Sequence, residues 1–293
     1  MNTNGNTYTV IYSTVLVVLV AAILAFVSMS LQNKQNENVK LETITKLLSA
    51  ASQSDGSFTI GEDTDVLGLY AGKIVEAFYV DGNGKKVRDM NTGKENVNSI
   101  EVSTTADLKK QNDLIKQIEN GQTDKLSSME LPVYVFDING KTVTVIPCYG
   151  AGLWGPIWGY LAIDADGRTI DGAVFDHKGE TPGLGAKIVE KSFCDEFLGK
   201  TLNVTGETVF AVVKATAVTE PEHSVDAISG ATITSQALGK SINLWAKYYM
   251  PYLSEAAEAN AEVPAVQDNI AAEPAEGTGT AVQTVGTNIN EEE

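Results

Sequence analysis

The stretch VYVFDINGKTVTVI, residues 133–146, decides the fold class. Apolar and polar residues alternate on both sides of Asn139-Gly140, a dipeptide that favours the tight turn of a β-hairpin. The sequence therefore predicts two antiparallel strands, Val133–Ile138 and Thr142–Ile146, joined by that turn.

The same kind of pattern recurs on either side of this hairpin. The strand patterns Tyr160–Ile163 and Thr169–Phe175 flank an Asp-Ala-Asp-Gly turn, and Val75–Val80 runs into Asp-Gly-Asn-Gly. Strands and helices that do not alternate regularly indicate an α+β domain, so we predict an antiparallel sheet with flanking helices. Helical patterns fall at Val102–Ile118, at Ala186–Phe197 with Gly199 as its stop, and at Ser235–Met250 ending at Pro251.

An uncharged apolar run, Val10–Leu31, opens the chain and is long enough to cross a bilayer. A cleaved signal peptide is the alternative, but no basic region precedes the run and no small-x-small site follows it. We therefore predict one uncleaved N-terminal transmembrane helix, followed by a short amphipathic helix at Val39–Ala51. Lysines after the span favour a cytoplasmic domain, but glutamates lie among them, so the charge pattern leaves the side of the membrane open.

The composition restricts the class of function. The 293 residues carry a net charge of −17, which argues against a nucleic-acid-binding protein. Two cysteines and two histidines exclude iron–sulfur clusters and zinc sites held by four cysteines, so an electron carrier would be organic. Nine of the 38 acids follow Pro251, where there is no Lys or Arg. We predict an acidic disordered tail over residues 253–293, with continued helix at Ser254–Glu262 as the alternative.

Several local motifs do not carry function. Gly183-Leu184-Gly185 lacks the third glycine of a dinucleotide fingerprint, and Gly239-Lys240-Ser241 lacks the first glycine of a P-loop. Cys148 and Cys194 are interpreted as small buried hydrophobic residues, with a disulfide as the alternative if the domain is exported. A hydrogen-bonded structural role is predicted for His177, and no metal site is predicted.

A turn of small residues leads into the last predicted helix at DAISGATITS, residues 226–235. Gly230 and Ala231 would let a bulky group approach the backbone. The N–H groups of the first helical turn favour an anion such as a phosphate. The alternative is that one of the hydroxyls only caps the helix. Those hydroxyls belong to Ser229, Thr232, Thr234 and Ser235.

Two further glycine-rich segments strengthen the prediction of a ligand site. They are GLWGPIWG, residues 152–159, and ETPGLG, residues 180–185. An aromatic side chain, an apolar leucine and two loops that each enter a helix suit a flat ring system that bears a phosphate.

These three segments, in this order, resemble the covalent-FMN-binding domain family. That domain occurs in the C subunit of the sodium-translocating NADH:quinone oxidoreductase and in the G subunit of the related electron-transport complex. The resemblance covers roughly residues 130–250. The family's pattern Asp-x-x-Ser/Thr-Gly-Ala-Thr/Ser is matched in full by Asp226, Ser229, Gly230, Ala231 and Thr232.

The resemblance implies that Thr232 carries FMN through a phosphoester, with Thr234 as the fallback position. It assigns Asp226 to recognition by a separate flavin transferase and implies no catalytic residue in this chain. The cofactor-binding residues implied by it are Trp154, Glu180, Thr181, Gly183, Leu184, Ser229, Gly230, Ala231 and Thr234.

The resemblance also implies a membrane-anchored electron-transfer subunit of a sodium-pumping NADH:quinone reductase that reduces ubiquinone-type quinones. Such a subunit is inactive alone and needs other subunits of the complex. The flavin domain is expected on the periplasmic side of the bacterial inner membrane. The front of the chain favours the C subunit; the G subunit of the ferredoxin:NAD-type complex, or a non-catalytic membrane-tethered flavin-binding module, is the alternative. The expected organisation is an anchor at 1–33, an α+β segment at 34–130, the FMN-binding domain at 131–252 and the tail.

Overall fold

The computed structural model describes residues 5–61, 63–206, 208–214, 216 and 220–261. Its helices are α1 (Asn6–Ala51), α2 (Val66–Lys73), α3 (Thr105–Glu119), α4 (Lys191–Cys194) and α5 (Thr232–Ala261). Its strands are β1 (Ile74–Val80), β2 (Lys86–Asp89), β3 (Leu131–Ile138), β4 (Lys141–Ala151), β5 (Pro156–Asp164), β6 (Ile170–His177), β7 (Ala211–Val213) and β8 (Ser224–Asp226).

Six of these strands form one antiparallel sheet in the order β2-β1-β3-β4-β5-β6, and β7 and β8 form a separate parallel pair. The predicted hairpin is present, with Ile138 opposite Lys141. Asn139 and Gly140 both have positive φ, 55° and 84°, as a tight hairpin turn requires. The predicted α+β class with an antiparallel sheet is confirmed. Because β1 pairs with β3, residues 34–130 and 131–252 share this sheet.

Each face of the sheet is covered by helices. The period-2 alternation sends Ile146 and Leu161 to the face covered by α3 and α5, where Trp245 is fully buried. Their neighbours Val145 and Ala162 point to the opposite face, against α2 and the C-terminal end of α1. Each large apolar side chain that is fully buried stabilises the fold by about 1.5–3 kcal/mol. The sheet is therefore a fixed platform between two apolar layers.

Helix α1 is continuous over 46 residues, or about 69 Å. The predicted span at Val10–Leu31 is exposed along its length, whereas Ile44, Leu47 and Leu48 near the end of the helix are fully buried against the sheet. In the described part of the chain this helix alone is long and apolar enough to cross a membrane. The arrangement is consistent with a single-pass anchor, and the predicted amphipathic helix at Val39–Ala51 is its continuation.

The last helix is longer than predicted. Helix α5 begins at Thr232, passes through Pro251 and ends at Ala261, so the predicted stop at Pro251 is wrong. A proline inside a helix costs about 3 kcal/mol, but packing beyond it compensates. Leu253 is 1% exposed, and the Tyr252 ring lies edge-on to Phe78 at 5.6 Å. Residues 253–261, expected in the disordered tail, are therefore helical, and residues 262–293 lie outside the described residues.

The helix predicted at Ala186–Phe197 is also wrong as a single element. A 3₁₀ turn at Gly185–Val189, the short α4 and a second 3₁₀ turn at Asp195–Phe197 take its place. Glu190 is extended, with ψ of 135°, and breaks the helix. The break allows the Phe197 ring to lie 4.9 Å from that of Phe175 and 5.2 Å from that of Phe210. Tertiary packing of these rings overrides the helical spacing.

Both cysteines are free and buried, as interpreted from the sequence. Burial raises the pKa of the Cys148 thiol to about 12 and that of the Cys194 thiol to about 11. Because the thiolate is the reactive form, we expect neither residue to react with iodoacetamide at pH 8 in the native protein. Both should react after denaturation, which serves as the control. Mass spectrometry of the two peptides measures this, and rapid native alkylation of Cys148 would contradict the buried position.

Candidate functional site

The three glycine-rich segments meet at one end of the central sheet. The loop Gly152–Gly155 joins β4 to β5, and the segment that contains ETPGLG follows β6. Backbone pairing brings these two loops side by side, because Lys178 donates its N–H to the Pro156 carbonyl at 3.0 Å. The first turn of α5 closes the arrangement.

Glu180 connects all three segments. The side chain is 4% exposed; its Oε1 accepts the Trp154 N–H at 2.9 Å and its Oε2 accepts the Thr234 hydroxyl at 2.6 Å. Its own N–H donates to Nδ1 of His177 at 3.2 Å, which confirms the hydrogen-bonded role predicted for that histidine. A buried carboxylate with both oxygens used in this way holds the loops in one arrangement.

Close packing around Glu180 explains two of the glycines. A β-carbon at Gly152 or at Gly185 would come within 2.5 Å of a Glu180 carboxyl oxygen, so no larger residue fits. Gly230 has φ of +79°, and a β-carbon there would lie 3.1 Å from Cδ2 of Leu184. Leu184 therefore lies against the turn before α5, which brings two of the predicted cofactor-binding residues together.

The start of α5 separates the candidate hydroxyls. Thr232 is the first helical residue and is partly exposed, whereas Thr234 is 1% exposed and donates to Glu180. The buried Ser235 hydroxyl accepts the Ile228 N–H at 3.0 Å and stabilises the preceding turn. In the described chain no hydrogen bond to the first turn comes from Ser229 or Thr232, so the capping interpretation gains no support. The first turn has no acidic residue, which leaves its positive dipole end open to an anion.

Apolar side chains lie exposed on all three segments. The exposed fractions are 68% for Trp154, 43% for Leu184, 47% for Leu153 and 57% for Ile233. Exposed apolar side chains beside backbone donors are typical of a site that binds a flat ligand with an anionic group. Leu153 and Ile233 were not predicted as site residues. For Ile233 the sequence offers one indication of such a role, which is an apolar residue placed between two threonines at the start of a helix.

Of the remaining predicted residues, Ala231 is buried and the others lie at the exposed rim. Thr181 and Gly183 are exposed, and Gly183 has φ of +76° with open space around it. Asp226 ends β8 with an exposed side chain and donates its N–H to Glu196 at 3.3 Å. Burial, followed by repulsion from Asp226, raises the pKa of Glu196. Within the described ranges no cluster of His, Cys, Asp and Glu has the arrangement of a metal site.

Exposed apolar side chains beside a helix start without acidic residues suit a flat ligand that bears a phosphate. Comparison with known families identifies the class as FMN-binding proteins, because residues 152–247 match the FMN-binding domain family. The chain is 30% identical over 204 residues to the C subunit of the Na(+)-translocating NADH-quinone reductase of Vibrio alginolyticus, covering 62% of this chain and 79% of that protein. The corresponding protein of Haemophilus ducreyi is 30% identical over 240 residues, or 80% of this chain and 87% of that protein.

The crystal structure of the C subunit from Parabacteroides distasonis has the same fold. Its TM-score is 0.59 at 32% identity, covering 76% of this chain and 97% of that chain. The chain belongs to the family of C subunits of the Na(+)-translocating NADH-quinone reductase.

Proposed function

We propose that this chain is the membrane-anchored, FMN-carrying electron-transfer subunit of a sodium-translocating NADH:quinone reductase, with FMN attached covalently to Thr232. The proposal rests on the two hydrogen bonds that the Glu180 carboxylate accepts, from the Trp154 N–H and from the Thr234 hydroxyl, which we call the Glu180 junction. It holds the Trp154 loop, the ETPGLG loop and the first turn of α5 around one partly exposed threonine hydroxyl.

The geometry supports Thr232 over Thr234 as the attachment site. A flavin phosphate on Thr234 would have to enter a position that is 1% exposed and would break the hydrogen bond to Glu180. Thr232 lies at the surface, at the positive end of a 30-residue helix. The first-turn N–H groups would then hold the phosphate.

The rest of the site suits the ring and the ribityl chain. Trp154 and Leu184 would pack against the flat ring, and the open backbone at Gly183 would leave room for it. Ser229, Ala231 and Thr181 complete the proposed binding residues. When bound, FMN supplies the redox chemistry, while the chain positions the ring and sets its surroundings.

Attachment would require a separate flavin transferase. A threonine hydroxyl is a weak nucleophile without an activating base or metal, and in the described residues no base hydrogen-bonds to Thr232. The exposed carboxylate of Asp226 is available for recognition by such an enzyme.

We further propose that the subunit is inactive alone and acts within a translocase. The sequence carries no credible NAD or ATP motif, so other subunits would oxidise NADH and reduce quinone. Helix α1 would span the bacterial inner membrane and pack against those subunits. The periplasmic position of the flavin domain follows from the resemblance.

Mass spectrometry of the native chain tests the linkage directly. Trypsin releases residues 215–240 as one peptide that contains Thr232. We expect its mass to exceed the sequence mass by FMN less one water, with fragmentation placing the addition on Thr232. An unmodified peptide in protein purified from its native host would contradict the proposal.

A further inference from the structure

His177 is the residue at which strand pairing gives way to the segment that contains ETPGLG. It ends β6, lies opposite Ile157 in the β5–β6 ladder, and is partly exposed, so protons from solvent reach its ring. One further backbone bond, from the Lys178 N–H to the Pro156 carbonyl, follows the ladder. The chain then turns inward to the buried Glu180. The imidazole therefore lies at the base of the turn that leads into the flavin site.

The backbone N–H of Glu180 depends on this imidazole for its hydrogen bond. It donates to Nδ1 of His177 at 3.2 Å, and in the described chain it has no backbone acceptor. Glu180 is 4% exposed, so water offers little replacement. The same residue supplies the carboxylate that accepts the Trp154 N–H and the Thr234 hydroxyl. His177 thus fixes the backbone of the residue whose side chain joins the other two segments.

The hydrogen bond specifies the protonation state of the His177 ring. A ring nitrogen that accepts a hydrogen bond carries no proton, so the neutral ring holds its proton on Nε2. The backbone N–H of His177 donates to Asp176 Oδ1 at 2.7 Å, which leaves the ring free for Glu180. Protonation would place an N–H at Nδ1, facing the Glu180 N–H. The two donors would repel each other, and the buried donor would lose its acceptor.

Charged side chains surround His177, but carboxylates and ammonium groups ordinarily keep their charges between pH 5 and 8, where histidine changes its own. The Trp154 loop and the adjoining part of β5 contribute no charge. The charged residues near His177 on β6, and on the other elements packed against it, are Asp176 in β6, Lys178 and Glu180 in the turn, Glu42 and Lys46 in α1, Lys187 in the 3₁₀ turn Gly185–Val189, and Lys191, Asp195 and Glu196 in the segment after it. The imidazole is therefore the group at this turn whose charge changes over that range.

We propose that His177 is a positioning residue of the flavin site, whose neutral ring holds the turn before Glu180 closed and whose protonation opens it. An open turn loosens the Glu180 backbone, and with it the support that the Trp154 loop and the first turn of α5 share. The flavin thus becomes more accessible to solvent as the pH falls from 8 to 5. The inference rests on the proposed function where it concerns flavin, whereas the turn itself can be measured without flavin.

The first test measures the ring and the turn in the full chain, with or without attached flavin. The chain has two histidines, so ¹⁵N labelling of histidine gives two rings whose chemical shifts report the protonation of each nitrogen. We expect His177 to carry its proton on Nε2 at pH 8 and to be protonated on both nitrogens at pH 5. Hydrogen exchange of the Glu180 amide, corrected for the intrinsic rate, should lose about tenfold of its protection over the same range, because the hydrogen bond of a buried donor shifts an equilibrium by about that factor.

Variants at the two histidines separate titration of the ring from its packing. The amide oxygen of His177→Asn can replace Nδ1 as the acceptor at every pH, so protection of the Glu180 amide should no longer depend on pH. His177→Phe keeps a flat ring without an acceptor and should show low protection at both pH 5 and pH 8. The matched control is His223→Asn, in another segment, where Nδ1 contacts the Thr201 hydroxyl at 3.0 Å. Protection of the Glu180 amide in this variant should change with pH as in the wild type.

Quenching of flavin fluorescence by acrylamide extends the test to the flavin-loaded chain. Quenching should increase from pH 8 to pH 5 in the wild type, stay low in His177→Asn and be high at both pH values in His177→Phe. Absence of flavin would reject the proposed attachment and leave the amide measurements in force. Equal protection of the Glu180 amide at pH 5 and pH 8 in the wild type would overturn the role of His177. A ring that stays neutral at pH 5, or a loss of protection that persists in His177→Asn, would overturn it as well.

Discussion

Thr232→Ala is expected to abolish covalent flavin attachment while leaving the fold intact. Denatured protein run on a gel should lose its flavin fluorescence to background, and the peptide 215–240 should have its unmodified mass. The hydroxyl oxygen is the proposed point of attachment, and alanine offers no substitute. In the described chain that hydroxyl forms no hydrogen bond, and alanine is a good residue for a first helical turn. The cost to the free energy of unfolding should therefore stay within about 0.5 kcal/mol.

Two variants serve as controls for this prediction. Thr232→Ser keeps the hydroxyl and should keep the flavin, as the family's pattern implies. Gln236→Ala changes an exposed side chain four residues further along α5, outside the proposed site, and should also keep it. Persistent fluorescence in Thr232→Ala would refute the assignment, and its loss in Gln236→Ala would show that the signal depends on the helix start in general rather than on the Thr232 hydroxyl.

The hairpins of the fold could be predicted because local chemistry alone specifies them. Asn139-Gly140 needs positive φ at both residues, and alternation on either side sets the register. The ends of helices depend on distant residues and could not be predicted. Pro251 signals a helix end, yet Leu253 and Tyr252 pack well enough on the sheet to carry the helix to Ala261.

In the site, too, the features set by local sequence could be predicted and those set by distant residues could not. The three segments were identified from their glycines and aromatic residues, and they do meet in space. The reason that they meet, a buried carboxylate shared between Trp154 and Thr234, joins residues 26 and 54 positions from Glu180. A single sequence does not reveal such a pairing. The sequence suggested cofactor contact for Glu180 and Thr234, whereas their burial gives them a supporting place beneath the site.

Glu180→Ala is expected to have the second large effect, on both stability and flavin content. The substitution removes an acceptor from the Trp154 N–H and from the buried Thr234 hydroxyl. Hydrogen bonds to a charged group contribute about 1.5–3 kcal/mol each, so losing two of them should lower the free energy of unfolding by about 3–6 kcal/mol. At about 2–4 °C per kcal/mol, thermal unfolding followed by circular dichroism should show a fall of about 6–24 °C. Flavin content should fall together with stability, because Glu180 would no longer join the Trp154 loop, the ETPGLG loop and the first turn of α5.

Glu180→Gln separates the role of Glu180 as a hydrogen-bonding link between the three segments from a role of its negative charge. The amide oxygen can still accept the Trp154 N–H, and the Thr234 hydroxyl can rotate to accept from the amide nitrogen, since a hydroxyl both donates and accepts. We therefore expect Glu180→Gln to cost only about 1 kcal/mol and to retain flavin. In a double-mutant cycle with Thr234→Val, Glu180→Ala should lose less stability than it does in the wild type, because the Thr234 hydrogen bond is already absent. Additive losses of stability would show that the two side chains act independently. If Glu180→Gln lost as much stability and flavin as Glu180→Ala, the negative charge rather than the hydrogen bonds of the junction would be the required feature.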